Sequence, residues 1–578
     1  MLQKAITVIK TTNIFSLIFN SVVIILGIVY LFFPGYSVIW NIFGYIYAIA
    51  IALNFYQIYY SDRRLHLKGK AGGQIYVLGF FYLIFQSLFV LFMNFGNMFI
   101  SITYSNLLAD NIYSYLLVSV GFFGVFIIGL IINVIILRNQ NKPDLWIEEY
   151  IIKERSFLEG SLFRKILRIL LIISSILGIV AGFLSSFLII AGVNSGRVLG
   201  FGSVSISQLG ESWGLVFISC SVILIKLIRR KAYPYLFYPT LILGLIVSTI
   251  SFLPISSTPF VIRDAQNGFD EAFNPAFNGD WKAEITPEIE EYFLEKPYYL
   301  MQYYLGVPPK ECVIIRDVPF FYGSQSSFEV DQNISLFFDV YLPLNSGVGL
   351  PGDNSTLIRI HGGGLVMGDK GISNMMQMNK YFAAQGYIVF DIQYGLIDTG
   401  SSDFITPEYR KGNFTKEDII RHVGNFTYFL ADHANDYGAN LDSVFISGGS
   451  AGGFLASAAA LMTSNGTYSD MFSPDLTING LIPYYPANRI SVEDNPFDNP
   501  GILVDENSPA CLIYHGAQDG LVHPEVSLDL YDRYIENGNT NCTLILMPFA
   551  GHASDVYFTG NYNQIFLYFM ERFLYLFH

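Results

Sequence analysis

Ser450 lies in Gly448-Gly449-Ser450-Ala451-Gly452, and His361-Gly362-Gly363-Gly364 stands well upstream of it. The Gly-x-Ser-x-Gly pattern is that of a sharp strand-to-helix turn, which lifts a serine oxygen clear of a sheet. A His-Gly-Gly-Gly loop offers bare backbone N–H groups to a developing oxyanion. A serine hydroxyl is a weak nucleophile at neutral pH and needs a base to take its proton as it attacks. That base is normally a histidine, oriented by a buried carboxylate. On a serine turn of this kind the chain order is Ser, then Asp or Glu, then His.

The histidines after Ser450 are His515, His523, His552 and His578. His552 closes the short loop Phe549-Ala550-Gly551-His552 behind the last apolar run and is the expected base, with His523 as the alternative. His515 ends a strand-like run and reads as structural. Asp519 follows the penultimate run and is the expected acid, whereas Asp505 and Asp555 read as surface or lid residues. The expected oxyanion donors are the N–H groups of Gly363, Gly364 and Ala451. His361, Gly362, Gly448 and Gly452 support the two motifs, His361 as a brace for the glycine loop.

These residues need a sheet to carry them, and short apolar runs alternate with helical patterns after residue 310, the mark of a mostly parallel sheet with helices on its faces. Strands are expected at 311–320, 334–342, 356–361, 387–394, 443–448, 478–484, 510–515 and 542–547. Helices are expected at 373–385, 415–437, 451–464, 524–537 and 560–577. The 356–361 run enters the glycine loop, and 443–448 enters the serine turn. Residues 486–509, polar and rich in Pro and Asp, read as a lid.

The first 254 residues are a different material. They hold 18 Lys and Arg against 8 Asp and Glu, while the remainder holds 15 against 39. The acidic portion excludes a nucleic-acid partner, which needs a basic footprint. Seven apolar stretches, 11–33, 38–60, 75–99, 112–137, 166–192, 212–228 and 235–254, have about the 17–25 residues that cross a bilayer. The first lacks the small-residue cleavage site of a signal peptide. An inside N-terminus puts 17 of the 18 basic residues in the cytoplasm and leaves Arg197 outside. No ionisable residue occupies the middle of a span, so an anchor that presents lipid is the expected role. The domains read as 1–254, seven membrane spans; 255–310, a linker or cap; and 311–578, the catalytic domain.

With that topology the acidic domain faces away from the cytoplasm, and the sequons agree. Asn-x-Ser/Thr occurs at Asn333, Asn354, Asn413, Asn425, Asn465 and Asn541 and nowhere earlier, making these possible glycosylation sites. Cys220 falls in a span; Cys511 and Cys542 each open an expected strand and meet only if those strands are neighbours.

From about Phe337 to the C-terminus the chain resembles the α/β-hydrolase superfamily, and within it the hormone-sensitive-lipase-like carboxylesterases and the feruloyl and acetyl esterases. The resemblance rests on Asp339-Val340-Tyr341-Leu342-Pro343, His361–Gly364 with Gly368-Asp369-Lys370, Gly386-Tyr387-Ile388-Val389, Gly448–Gly453, His515–Pro524 and Gly551-His552. It departs at Tyr394-Gly395-Leu396, where relatives usually carry Tyr-Arg-Leu. The resemblance implies an α/β-hydrolase fold and a serine carboxylesterase or lipase acting on small-molecule or lipid esters. It implies no metal and no organic cofactor. An acyltransferase using the same acyl-enzyme, or a non-catalytic binding module on this fold, are the alternatives.

The charge asymmetry yields a direct test. Protease added to sealed right-side-out vesicles is expected to cleave within 255–578 and to spare the 138–165 loop. Protection of the C-terminal domain would show that the number of spans is wrong by an odd number.

Overall fold

The computed structural model describes residues 2–578 apart from 36, 64, 68, 106–108, 143–144, 149–160, 193–203, 205, 229–233, 373, 401–404, 469 and 493. Arg64, Lys68, Lys153, Arg155, Arg197, Arg229, Arg230 and Lys231, which enter the charge argument, lie outside the described residues.

Among the described residues, seven helices are long and apolar enough to cross a membrane, and the protein is a membrane protein. They are α1 (Leu2–Phe32), α2 (Val38–Arg63), α3 (Gly69–Ser101), α4 (Ile112–Asn139), α5 (Leu162–Ala191), α6 (Gly210–Leu227) and α7 (Pro234–Ser251). Small residues set the packing where helices touch. A Cβ on Gly182 would lie 2.4 Å from Val247, and one on Gly178 would lie 2.7 Å from Cys220 Sγ, so α5 approaches α6 and α7 closely there. The other faces of α5, including Phe183, Phe187 and Ile190, stay exposed.

Buried amides tie α1, α2 and α4 together. Asn20 and Asn54 exchange two 2.8 Å hydrogen bonds, and Asn133 Nδ2 donates to Ser16 Oγ at 3.0 Å. Glu211, which the sequence placed just outside the sixth span, is instead in the first turn of α6, buried and accepting from Tyr298 at 3.0 Å.

The seventh span does not end at the membrane. After a break at Phe252, α8 (Leu253–Phe273) continues it, with Pro254 in the first turn, where its missing N–H costs nothing. Phe269 and Phe273 of α8 then pack on Phe569 and Phe573 of the C-terminal helix at 5.4 and 5.6 Å. Further along, α9 (Leu300–Leu305) wedges back among the spans, with Tyr304 on Tyr47 at 4.6 Å between centroids. The 255–310 segment is thus built into both the membrane core and the C-terminal core.

The C-terminal domain is an eight-stranded sheet. Its strands are β1 (Val313–Tyr322), β2 (Ser335–Leu342), β3 (Ser355–Ile360), β4 (Ile388–Ile392), β5 (Asn440–Gly449), β6 (Ile478–Tyr484), β7 (Ala510–Gly516) and β8 (Cys542–Met547). They lie in the order β8-β7-β6-β5-β3-β4-β2-β1. The β1–β2 and β2–β4 pairs are antiparallel, and the rest are parallel. The helices α10 (Met376–Ala384), α11 (Lys416–Tyr437), α12 (Ala451–Asn465), α13 (Glu525–Glu536) and α14 (Asn561–Leu576) complete the α/β-hydrolase class of fold. Strands β3 and β4 are buried at every position because both faces are covered, and the charged Arg359 and Asp391 that they carry are buried with hydrogen-bond partners.

Cys511 and Cys542 are direct partners across β7 and β8, both free thiols. Among the sequons, Asn333 and Asn413 are exposed, while Asn425 is half-buried within α11.

A buried ionic lock in the C-terminal domain is hydrogen-bonded by the membrane half. Tyr104, beyond α3, donates to Asp339 Oδ2 at 2.6 Å, and the buried Lys370 Nζ reaches Asp339 Oδ1 at 2.7 Å and Asp317 at 2.6 Å. Asp317 is exposed, so most of the burden of compensating Lys370 falls on Asp339. Removing one partner of a buried pair costs about 3–5 kcal/mol. Asp339→Asn is accordingly expected to lower the stability of the full chain in detergent by about 3 kcal/mol. A thermal melt with a change below about 1 kcal/mol would show that the lock contributes little.

Candidate active site

Ser450 sits between β5 and α12 with φ 56° and ψ −118°, a left-handed conformation that a serine adopts only under constraint. Its N–H donates to Tyr484 O at 2.9 Å, and its carbonyl accepts from Ala487 N at 3.1 Å. The turn is possible because Gly452 has no side chain: a Cβ there would lie 2.1 Å from Ile360 O. Ala487 opens the 486–509 segment expected as a lid, so that segment begins against the serine.

Two further loops, after β7 and β8, converge on Ser450. His552 Nε2 lies 3.1 Å from Ser450 Oγ, and His552 Nδ1 lies 2.7 Å from Asp519 Oδ2. Asp519 Oδ1 accepts the N–H groups of Leu521 and Val522 at 2.9 and 3.0 Å, so the carboxylate is fixed at both oxygens. Burial raises the Asp519 pKa, but hydrogen bonds from His515 and His552, with their charge, outweigh it and hold the carboxyl well below the usual range. His515 Nε2 lies 3.4 Å from Asp519 Oδ2 and donates to Val522 O at 2.9 Å. His523 is exposed, away from Ser450, and His578 is exposed at the C-terminus. Asp555 departs from its expected surface position. It is buried and accepts from Tyr485 OH at 2.7 Å, because Tyr485 packs its ring on His552 at 4.6 Å.

The glycine loop runs past the serine turn, and a Cβ on Gly362 would lie 2.8 Å from Gly449 O. Gly363 takes φ 124°, and a Cβ there would lie 1.8 Å from Met367 O, so only glycine fits. Among the described residues, the N–H groups of Gly363, Gly364 and Ala451 have no hydrogen-bond partner. His361 is fully buried, with its Nδ1 donating to Gly362 O at 2.8 Å and its Nε2 accepting from Arg410 Nη1 at 3.0 Å. Tyr394 stacks on the His361 ring at 4.3 Å and donates to the His361 carbonyl at 2.8 Å.

Sequence reasoning missed Arg410. It arrives from the turn Glu408–Arg410, is fully buried, and donates to Gly368 O as well as to His361. Position 395, by contrast, has no room for a side chain, since a Cβ there would lie 2.6 Å from the His422 ring. The only sequence signal for Arg410 is an arginine close to Tyr394-Gly395, which is weak.

The membrane half also reaches the site. Ser207 Oγ accepts from Gly551 N at 3.2 Å, and Gln208 Oε1 accepts from Tyr557 N at 2.9 Å, so the histidine loop is held near both ends. Asn94 and Asn97 of α3 donate to Tyr557 OH at 3.0 and 3.2 Å.

This chain is similar to known proteins over part of its length. Residues 338–496 match the family described as BD-FAE. Esterase LipQ of Mycobacterium tuberculosis is 27% identical over 154 residues, 22% of this chain and 37% of that protein. The probable carboxylic ester hydrolase LipM of the same organism is 24% identical over 169 residues, 25% of this chain and 39% of that protein. The match thus spans well under half the length of these relatives. Among solved structures, Thermogutta terrifontis esterase 2 phosphorylated by paraoxon is 21% identical with a TM-score of 0.31, over 42% of this chain and 84% of that one. An inhibited esterase B from Lactobacillus rhamnosis is 20% identical with a TM-score of 0.33, over 43% of this chain and 81% of that one.

Two buried imidazoles give a pH test of this scaffold. Burial, then the Arg410 charge, pushes the His361 pKa well down. Burial also lowers that of His422, against the opposing pull of Asp331, which accepts from it at 2.9 Å. Each therefore binds fewer protons folded than unfolded, so stability falls as the pH drops through about 6.5. Asp391, pushed up to about 6 by burial, acts in the opposite sense below that pH. Between pH of about 7.5 and 6 the two histidines are expected to remove up to about 1.5 kcal/mol. Melts across that window read the slope, and His422→Gln should flatten it; an unchanged slope would mean His422 is protonated in the folded chain.

Proposed function

We propose that the protein is a membrane-anchored serine esterase that hydrolyses carboxylic esters on the non-cytoplasmic side of the membrane. One observation carries the reading: a carboxylate, an imidazole and a serine hydroxyl in continuous contact, 2.7 and 3.1 Å, on three loops at one edge of a parallel sheet. The likeness of residues 338–496 to BD-FAE and of the domain to mycobacterial ester hydrolases supports it.

The chemistry follows from the geometry. As Ser450 Oγ attacks the ester carbonyl, its proton passes to His552 Nε2, and Asp519 stabilises the imidazolium through Nδ1. The carbonyl oxygen becomes an oxyanion directed at the N–H groups of Gly363, Gly364 and Ala451, each worth about 2.7–4 kcal/mol of barrier. Collapse expels the alcohol, which takes its proton from His552 and leaves an acyl-serine. Water, deprotonated by the same imidazole, attacks the acyl-serine and releases the carboxylic acid and free Ser450. Tyr485 against the ring and Arg410 behind the glycine loop keep base and donors in register.

The membrane half anchors this domain, with the N-terminus in the cytoplasm and residues 255–578 outside. That placement makes the exposed Asn333 and Asn413 the most accessible of the sequons.

Group members that act as a unit are not additive when removed. Ser450→Ala and His552→Ala are each expected to lower kcat about 10⁶-fold, with the double variant scarcely worse. Asp519→Asn should cost about 10⁴-fold. Fluorophosphonate labelling should vanish in Ser450→Ala while the protein still folds. Labelling that persists there, or an active His552→Ala beside a dead His523→Ala, overturns the assignment.

A further inference from the structure

Four membrane helix ends touch the C-terminal domain, and they touch the edge that carries the chemistry. The residue after α5, Gly192, packs so closely on the acid loop that a Cβ there would lie 3.1 Å from Gln518 O, one residue before Asp519. Just before α6, Ser207 and Gln208 hold the histidine loop at Gly551 and Tyr557. Tyr104, beyond α3, holds Asp339 at 2.6 Å, and Pro254, beyond α7, accepts from Asn561 at 3.3 Å.

The depth of that edge can be read from α5. Its last charge is Arg168, and every residue from there to Ala191 is uncharged. At 1.5 Å per residue that stretch is about 35 Å long, against about 30 Å of bilayer hydrocarbon. Gly192 therefore stands at the hydrocarbon boundary. The apolar residues leading up to it, Phe183, Phe187 and Ile190, are exposed, as lipid-facing residues are. Asp519 follows the residue in contact with that helix end, and Ser450 lies one imidazole ring beyond Asp519. Gly364 of the glycine loop remains exposed and Ser450 half-exposed, so this edge is open to an incoming ester.

We infer that the substrate is a carboxylic ester of a bilayer lipid, its acyl chain in the leaflet beside α5 and its carbonyl at headgroup depth, where Ser450 waits. The inference rests on the esterase reading above and adds the source of the ester. A soluble ester gains nothing from a serine held at the membrane surface. An amphiphilic ester held in a leaflet is delivered there already concentrated and oriented, and it need not leave the bilayer to reach the nucleophile.

The test uses the full chain in phosphatidylcholine vesicles, with three probes: dioleoylglycerol in the bilayer, and p-nitrophenyl acetate and an acetylated oligosaccharide in solution. Fatty-acid release from the diacylglycerol or from the phosphatidylcholine itself, lost in Ser450→Ala, is expected with kcat/KM at least about tenfold above either soluble ester. Ile190→Gln, on the lipid face and outside the catalytic loops, is expected to cut release from the bilayer ester about fivefold and leave p-nitrophenyl acetate turnover unchanged. Turnover of the soluble esters with both lipids untouched, or a preference for the acetylated sugar, overturns the inference and leaves the esterase standing. Turnover of none of the three, with no labelling of Ser450, removes the esterase reading itself.

Discussion

The contact between Ser450 and His552 is the one on which everything else depends. It spans 3.1 Å between loops that are 102 residues apart in sequence, and neither loop holds its position alone. Ser450 is kept in a left-handed turn by the hydrogen bonds of its own backbone and by the bare Gly452. His552 is kept by Asp519 on one nitrogen, by Tyr485 on its ring, and by Ser207 and Gln208 through the flanking backbone. A parallel sheet supplies the reason these parts can meet at all. Successive parallel strands bring their C-terminal ends to one edge, so the loops after β5, β7 and β8 emerge side by side.

Much of this was legible in the sequence, for a definite reason. All eight strands lie within a few residues of their expected places, and α10 to α14 match the five expected helices, because the β-runs are short, apolar and bounded by turn residues. The places of Ser450, Asp519 and His552 relative to those runs were enough to expect them at one edge, where they lie within hydrogen-bond distance of one another. What was not legible is whatever depends on approach between distant segments. Arg410 carries no motif and matters only because its turn folds back on His361. Asp555 looked like a surface residue because its partner, Tyr485, lies 70 residues away. Glu211 falls just outside the expected 212–228 span, and nothing in the sequence pairs it with Tyr298, 87 residues away.

The joint between the halves shows the same limit on a larger scale. Residues 255–310, polar and proline-rich, have the composition of a spacer. Yet α8 extends the seventh span into the C-terminal core, and α9 returns into the membrane core. Each crossing is satisfied locally: Tyr30 OH donates to Gly306 O at 2.8 Å, and Asn97 Nδ2 donates to Tyr304 O at 3.0 Å. Buried backbone groups left without such partners would cost more than the crossing gains. Composition alone cannot distinguish a flexible tether from a chain segment that is polar because it crosses between two cores.

This joint also bears on what the membrane half is for. Among its interior polar groups, amides and hydroxyls pair between helices, as Asn20 does with Asn54 and Ser16 with Asn133. Interhelical hydrogen bonds of this kind average only about 0.6 kcal/mol, but they are directional and fix how helices are rotated. Helices α2, α3 and α4 form the surface on which α9 seats, and α8 packs against β8 and α14 of the C-terminal domain. A path for ions or protons would instead string ionisable groups through the spans, and among the described residues Glu211 and Lys226 lie near opposite ends of α6, with none between them. On the function proposed above, the membrane half would act as a ruler. By seating the joint between the halves, it would set how far the Ser450 edge stands from the hydrocarbon.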